Sequence, residues 1–254
     1  MFSRIPKLLS FGALAGVFAL AGCGGSSDYA YVKFIHASPG APNVDVQIAS
    51  TFAAQNTAYG DATMSYAQVN AGTNEKVQVF AAGKDTTAVL SANATFTKNQ
   101  YYTILALNTP AKLQAVIEND DLTPPTSGDC KIRVVHGSPS AGAVDVYVTA
   151  PGVSLTDPKN PVTPVLTNFS FGTVTKYLEV PAGSYEVRVT ATGDPSAVAI
   201  DTGSTGVPLM AGDIYTAVAL DPNPSSTPPG TAFSLLLTQD QPVQGVTPTA
   251  PTGM

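Results

Sequence analysis

Residues 34–46 read FIHASPGAPNVDV, and residues 134–146 read VVHGSPSAGAVDV. The chain's two histidines, His36 and His136, stand at matching places in these stretches. Such a repeat means either a site used twice or a fold built twice, and its extent favours the fold. SYAQVNAG (65–72) matches KYLEVPAG (176–183), and QYYTILAL (100–107) matches DIYTAVAL (213–220). The spacing between matched stretches is wider here than at the histidines, which places an insertion in the second copy around PGVSLTDPKNPVTP (151–164). Each copy closes on an apolar run, LQAVI (113–117) or FSLLL (233–237).

Within each copy the hydrophobic period is two. Tyr185, Val187 and Val189 alternate with Glu186, Arg188 and Thr190, and Val144, Val146 and Val148 alternate with Asp145, Tyr147 and Thr149. That is the pattern of a half-buried antiparallel strand. Only 12% of residues are charged, while 22 glycines and 21 prolines cut the apolar runs short. Turns at Gly72, Gly83, Gly183 and Gly193 separate about seven strands per copy. The expected fold is all-β: two tandem immunoglobulin-like antiparallel β-sandwich domains, over 30–121 and 129–241. A Pro-rich linker (122–128) joins them, and a Pro/Thr-rich tail (242–254) is expected to be disordered.

The first residues belong to neither copy. MFSRIPK carries Arg4 and Lys7 and is followed by the apolar run LLSFGALAGVFALAG and then Cys23. This is a signal segment, too short for a comfortable transmembrane helix. Leu20-Ala21-Gly22-Cys23 resembles the bacterial lipobox. The resemblance implies a lipoprotein signal peptide over 1–22, cleavage after Gly22, and acylation (palmitate among the chains) of Cys23. Residues 23–29 would then form a lipidated flexible tether, since Gly/Ser chains stay coiled. Each buried methylene contributes about 0.8 kcal/mol, so several chains make a stable anchor. Gly24, rather than Asp, follows the cysteine, which by the same resemblance favours the outer membrane where the organism has one.

Residues 1–22 carry two bases and no acid, so cleavage would take the formal charge from −6 to −8. An acidic chain of this kind argues against nucleic-acid partners, which need clustered Lys and Arg. With Cys23 acylated, Cys130 is left as one unpaired thiol, read as a small buried hydrophobe or as an exposed thiol that pairs two chains.

A strand ending in His-x-Ser-Pro, a Val-Asp-Val strand, an Ala-Gly turn and a Tyr-Thr strand together resemble the domain of unknown function DUF4397. The chain is similar to a tandem pair of these domains over roughly 30–241. The resemblance implies an exported, surface-anchored protein and supplies no established activity. Asn70 in place of Pro181, and Gln47 opposite Tyr147, are small departures between the copies.

Strand phase assigns the candidate residues. Ile132, Val134 and His136 share one face, and Lys131 and Arg133 the other; Val32, Phe34 and His36 repeat this, with Lys33 opposite. The basic residues are expected in water, so both histidines should turn inward and bond the backbone of the loop that follows. Asp45 and Asp145 fall on the opposite phase, as surface or loop-bracing residues. Tyr102 and Tyr215 sit where sandwiches place a tyrosine corner. Zinc would need three or four convergent ligands, which neither copy offers, and no cofactor is expected. Calcium is conceivable at the junction, where Glu118, Asp120 and Asp121 cluster; a solvated acidic turn is the plainer reading. GSPSAG (137–142) has the wrong spacing for a nucleophile elbow.

The sequence therefore points to a non-catalytic, lipid-anchored envelope protein that displays its sandwiches for protein or glycan binding. Loops 151–164 and 221–232 are the candidate contact surfaces. The alternatives are a structural spacer or assembly subunit, and, remotely, a cryptic hydrolase.

Overall fold

The computed structural model describes residues 28–84, 86–226, 229–248 and 251. The expected signal segment and Cys23 lie outside the described residues. The first copy consists of β1 (Tyr29–Ala37), β2 (Val44–Ile48), β3 (Thr51–Thr57), β4 (Ala67–Asn70), β5 (Gly72–Ala81), β6 (Leu90–Phe96), β7 (Tyr101–Leu107) and β8 (Gln114–Asp120). They form two four-stranded sheets, β4-β1-β7-β8 and β3-β2-β5-β6. The second copy consists of β9 (Asp129–His136), β10 (Val144–Thr149), β11 (Leu166–Phe169), β12 (Leu178–Pro181), β13 (Gly183–Ala191), β14 (Val198–Asp201), β15 (Val207–Leu209), β16 (Ile214–Leu220) and β17 (Ser234–Gln239). Its sheets, β12-β9-β16-β17 and β11-β10-β13-β14 with β15 also on β13, repeat the first order. β14 and β15 together occupy the place of β6, interrupted by a turn in which Gly203 and Gly206 take the left-handed backbone that glycine tolerates.

The all-β, two-sandwich reading holds, with two refinements. Each copy has at least eight strands rather than about seven. The opening strand also pairs in parallel with the penultimate one, placing Phe34 beside Ile104 and His36 beside Ala106 in β1/β7. Val134 beside Ala217 and His136 beside Ala219 in β9/β16 repeat that register. The inner faces enclose the first core, in which Val32, Phe34, Val46, Val79, Phe96 and Ile104 are all buried.

The expectation that Lys33, Lys131 and Arg133 face water is wrong: all three are buried. The reason is that sheets β4-β1-β7-β8 and β12-β9-β16-β17 pack outer face to outer face. Ile35, Ala37, Leu105 and Leu107 of the first copy meet Val135, Val218 and Leu220 of the second in one apolar cluster. β7 and β16 are therefore buried along their whole length, as strands covered on both faces are. Gly137 stands where the first copy has Ala37, because a Cβ there would come within 2.8 Å of Val218 and 2.9 Å of the Ala219 carbonyl oxygen.

The tail also departs from expectation at its start. Val243 and Val246 pack on a cluster containing Tyr31, Tyr66, Tyr101, Leu122 and Ile214. The Val243 N–H donates to Tyr101 Oη at 3.2 Å, and a turn brings the Val246 N–H to the Val243 carbonyl at 3.1 Å. Two valines three residues apart in a turn can bury together against aromatic rings, which composition alone conceals. The described contacts of the folded body lie within residues 28–248, so a chain beginning at Gly24 retains every strand, both interiors and the junction.

Candidate functional site

The repeated motif builds the same brace twice. His36, next to last in β1, turns under the loop that follows: Nε2 lies 3.1 Å from the Pro42 carbonyl, and the Ser38 N–H donates to Nδ1 at 3.3 Å. His136 does the same with the Gly142 carbonyl at 2.7 Å and the Ser138 N–H at 3.3 Å. Because Nδ1 accepts, Nε2 carries the proton and donates to the carbonyl. Burial pushes both imidazoles below the ordinary histidine range and keeps them neutral, against weaker opposing pulls from the loop carbonyls and from Asp61 or Asp221.

The aspartates of the Val-Asp-Val strands are buried braces rather than surface groups. Asp45 accepts the Asn56 N–H at 2.6 Å and the Gly83 N–H at 2.9 Å. Asp145 accepts the Asn168 N–H at 2.8 Å and the Gly193 N–H at 2.9 Å. All four donors belong to residues with positive φ, so each carboxylate pins two left-handed turns. Tyr102 Oη accepts the Thr97 N–H at 3.0 Å, and Tyr215 Oη accepts the Met210 N–H at 3.1 Å, each tying a strand to the backbone five residues upstream.

Asp221, which the sequence reading passed over, joins the second motif. Ser138 Oγ donates to its Oδ1 in a short contact, and Ser140 Oγ donates to the same oxygen at 3.0 Å. In the first copy Asn108 follows the matching strand, and among the described residues Ser38 Oγ finds no partner. A serine–histidine–aspartate relay needs an imidazole nitrogen free to take the serine proton. Here Ser138 bonds the aspartate directly, and both nitrogens of His136 are committed to backbone.

The junction holds a second duplicated constellation. From the second copy, Arg133 donates to Asp120 Oδ1 at 2.6 Å, Thr103 Oγ1 at 2.6 Å and Thr216 Oγ1 at 2.8 Å. From the first copy, Lys33 Nζ reaches Asp240 Oδ1 at 2.9 Å, Thr238 Oγ1 at 2.7 Å and the Gln239 carbonyl at 2.6 Å. Tyr66 and Tyr177 complete the pattern, donating to Asp120 Oδ2 at 2.6 Å and Asp240 Oδ2 at 2.8 Å. Each copy's base thus crosses to the other copy's terminal carboxylate. Burial opposes the Arg133 charge, but Asp120, Tyr177 and Asp240 outweigh it, so the guanidinium stays protonated. Burial likewise holds Tyr66 and Tyr177 well above the usual phenol range, as neutral donors.

This geometry disperses the acidic cluster. Asp120 is taken by Arg133, and Asp121 turns to Lys131 Nζ at 3.0 Å and to Thr123. Glu118 is half-buried, its carboxyl raised chiefly by burial. Among the described residues no three His, Cys, Asp or Glu side chains converge to hold a metal ion, so the calcium expectation at Glu118, Asp120 and Asp121 finds no converging donor set. Cys130 is fully buried, its thiol 3.5 Å from the Val180 carbonyl, and burial pushes that thiol up. An exposed, chain-pairing thiol does not fit that position.

The second sandwich contains a cavity of about 230 Å³ between its sheets. Val134, Val146, Val187, Ala217, Leu235 and Leu237 are among the side chains around it. The first sandwich keeps a gap of about 80 Å³ beneath its motif loop, and a recess along β3 is open to solvent. Paired registers explain the difference. Phe34, Ile104 and Phe96 fill the first core, and Val134, Ala217 and Leu209 stand at the same places in the second. Leu235, in place of Ala115, recovers part of that volume, while Leu237 and Ile117 are equal in size. The edge differs as well. β3 lies against β1 and β4, while the shorter β11 makes no comparable contact with β9 or β12. Val165 and Leu178 stand at that edge, each more than half exposed.

No curated protein matches this chain. The sequence profile of a domain of unknown function, DUF4397, matches residues 30–147 and 151–249. These two stretches carry both histidine braces, both crossed ion pairs and the hollow interior, and the chain belongs to the DUF4397 family.

Proposed function

We propose that the protein is a lipid-anchored component of the cell envelope that acts by binding a protein or glycan, without catalysis. The observation that carries this reading is the commitment of the motif histidines and aspartates to architecture. His36 and His136 bond the backbone of the loops that follow them, and Asp45 and Asp145 bond the backbone of turns on neighbouring strands. A group held in that way braces the backbone, and neither imidazole keeps a free nitrogen lone pair for general-base work. The lipobox-like LAGC sequence supports the anchor, with Cys23 as the acylated residue. Loop 151–164 supports the display role. It is largely exposed, yet its base is tied by the Gly152 N–H donating to Glu186 Oε2 at 2.5 Å. A restrained, exposed loop on a rigid sandwich is a common form of contact surface.

The spacer reading is weaker, because a spacer gains length from end-to-end domains, whereas these copies lie face to face. Two experiments test the proposal. Fractionation of cells producing Cys23→Ala should move the protein from the membrane to the soluble fraction. Crosslinking with purified envelope should capture a partner that is lost when 151–164 is deleted, with the His36→Ala/His136→Ala variant still capturing it. Substrate turnover abolished by that histidine pair would contradict the reading.

A further inference from the structure

The interior of the second sandwich has the chemistry of a ligand site. Of the side chains around the cavity, only His136, Thr175 and Tyr185 carry polar atoms, and each already has a partner in the protein. His136 is committed to Gly142 and Ser138, Thr175 Oγ1 accepts the Val134 N–H at 2.9 Å, and Tyr185 Oη donates to the Pro181 carbonyl at 2.7 Å. An occupant would therefore meet almost entirely apolar surface, and one with polar groups inside would leave them unsatisfied. Apolar cavities of this kind stay dry and take up apolar molecules; one of about 150 Å³ holds benzene. Scaled in that proportion, 230 Å³ accommodates about nine carbon atoms.

Shape selects a chain over a ring. The lining includes three successive inward positions of β10 (Val144, Val146 and Val148) and three of β13 (Tyr185, Val187 and Val189). At about 3.3 Å per residue those positions span about 13 Å along the strands. The mouth lies at the loose edge marked by exposed Val165 and Leu178, where a polar head group could remain in water. We infer that the second sandwich binds an unbranched alkyl chain of about nine carbons, inserted between its sheets, while the filled first sandwich does not. The alkyl chain could come from a free amphiphile or from a membrane lipid. The mouth residue Val165 directly follows display loop 151–164, but the interior site is tested with that loop intact and stands or falls independently of the envelope-binding proposal.

The test uses the chain beginning at Gly24, titrated with n-alkanols from butanol to dodecanol and followed by methyl NMR. The expected result is saturable shifts at Val134, Val146, Ala217 and Leu235. Affinity should rise about fourfold per added methylene and level off near nine carbons. A parallel arm measures flotation with phosphatidylcholine vesicles, which identifies a lipid as the source if it alone succeeds. Val134→Phe with Ala217→Ile installs residue types of the first copy and should lower binding at least tenfold, with a melting temperature at or above the parent's. Should the pair fail to fold, Ala217→Ile alone should lower affinity by a smaller factor. Absence of binding in both arms, or binding that the filled variants leave unchanged, would overturn the inference.

Discussion

The two sandwiches agree in their framework and in the pattern of their junction and differ in their interiors. Strand order, the histidine brace, the aspartate-pinned turns and the crossed ion pairs are duplicated. The interiors have diverged: Phe34, Ile104 and Phe96 fill the first, and the smaller Val134, Ala217 and Leu209 line the hollow second. Surfaces that must match each other constrain both copies at once, whereas an interior is constrained only by its own sheets. A cavity of this size costs stability without an occupant, so the divergence singles out the second copy as the one released from tight internal filling.

Breaking what the copies share should have the largest effect. Asp120→Ala leaves the Arg133 guanidinium buried without its carboxylate, and Asp240→Ala does the same to the Lys33 ammonium. Each should cost about 3–5 kcal/mol in urea unfolding, and the two costs should be similar. A loss below about 1 kcal/mol, the range of exposed pairs, would mean that the junction opens to water in solution.

Exchanging the interiors sharpens the contrast. Phe34→Val imposes the second copy's residue on the first core and should cost about 2–3 kcal/mol. Val134→Phe makes the reverse exchange in a cavity with room to accept it, and should be neutral or stabilising by thermal melt. Equal destabilisation by both would show that the second interior closes up in solution.

The shared brace gives the smallest effect and a pH signature. His36→Ala or His136→Ala leaves a loop carbonyl and a serine N–H unpaired, at about 1–2 kcal/mol each. Both imidazoles are held below the ordinary histidine value of about 6.5. As pH falls through that value the unfolded chain takes up protons before the folded one does. Their contribution is therefore complete above about 6.5 and declines as pH drops toward the lower folded-state values. The double histidine variant should lose that part of the slope between pH 7 and 5, measured as urea midpoint against pH.

Much of this was legible in the sequence. The repeat, the period of two and the turn glycines carried the tandem sandwich, and the phase of Val32-Phe34-His36 placed the imidazole inward. The junction was misread because Lys33 and Arg133 were assigned to water by charge alone. Their neighbours carried the opposite signal: YYTILAL and IYTAVAL are apolar at nearly every position, as strands covered on both faces are. The Thr103–Thr216 and Tyr66–Tyr177 pairs lay inside the matched stretches, but only the crossings of Arg133 to Asp120 and of Lys33 to Asp240 give them a role. The cavity too was written in those stretches, as Phe34 against Val134 and Ile104 against Ala217. Volume lost at paired positions becomes a hollow only when facing strands fail to close over it, and strand spacing is not a property of sequence pattern.

Diffraction from crystals pressurised with xenon tests the filled-and-hollow contrast most directly, since xenon enters dry apolar cavities. The structure predicts xenon between the sheets of the second sandwich, beside Val146 and Ala217, and none at the matching place in the first, beside Val46 and Ile104, where the core is filled. Xenon at both of these places, or at neither, would contradict it.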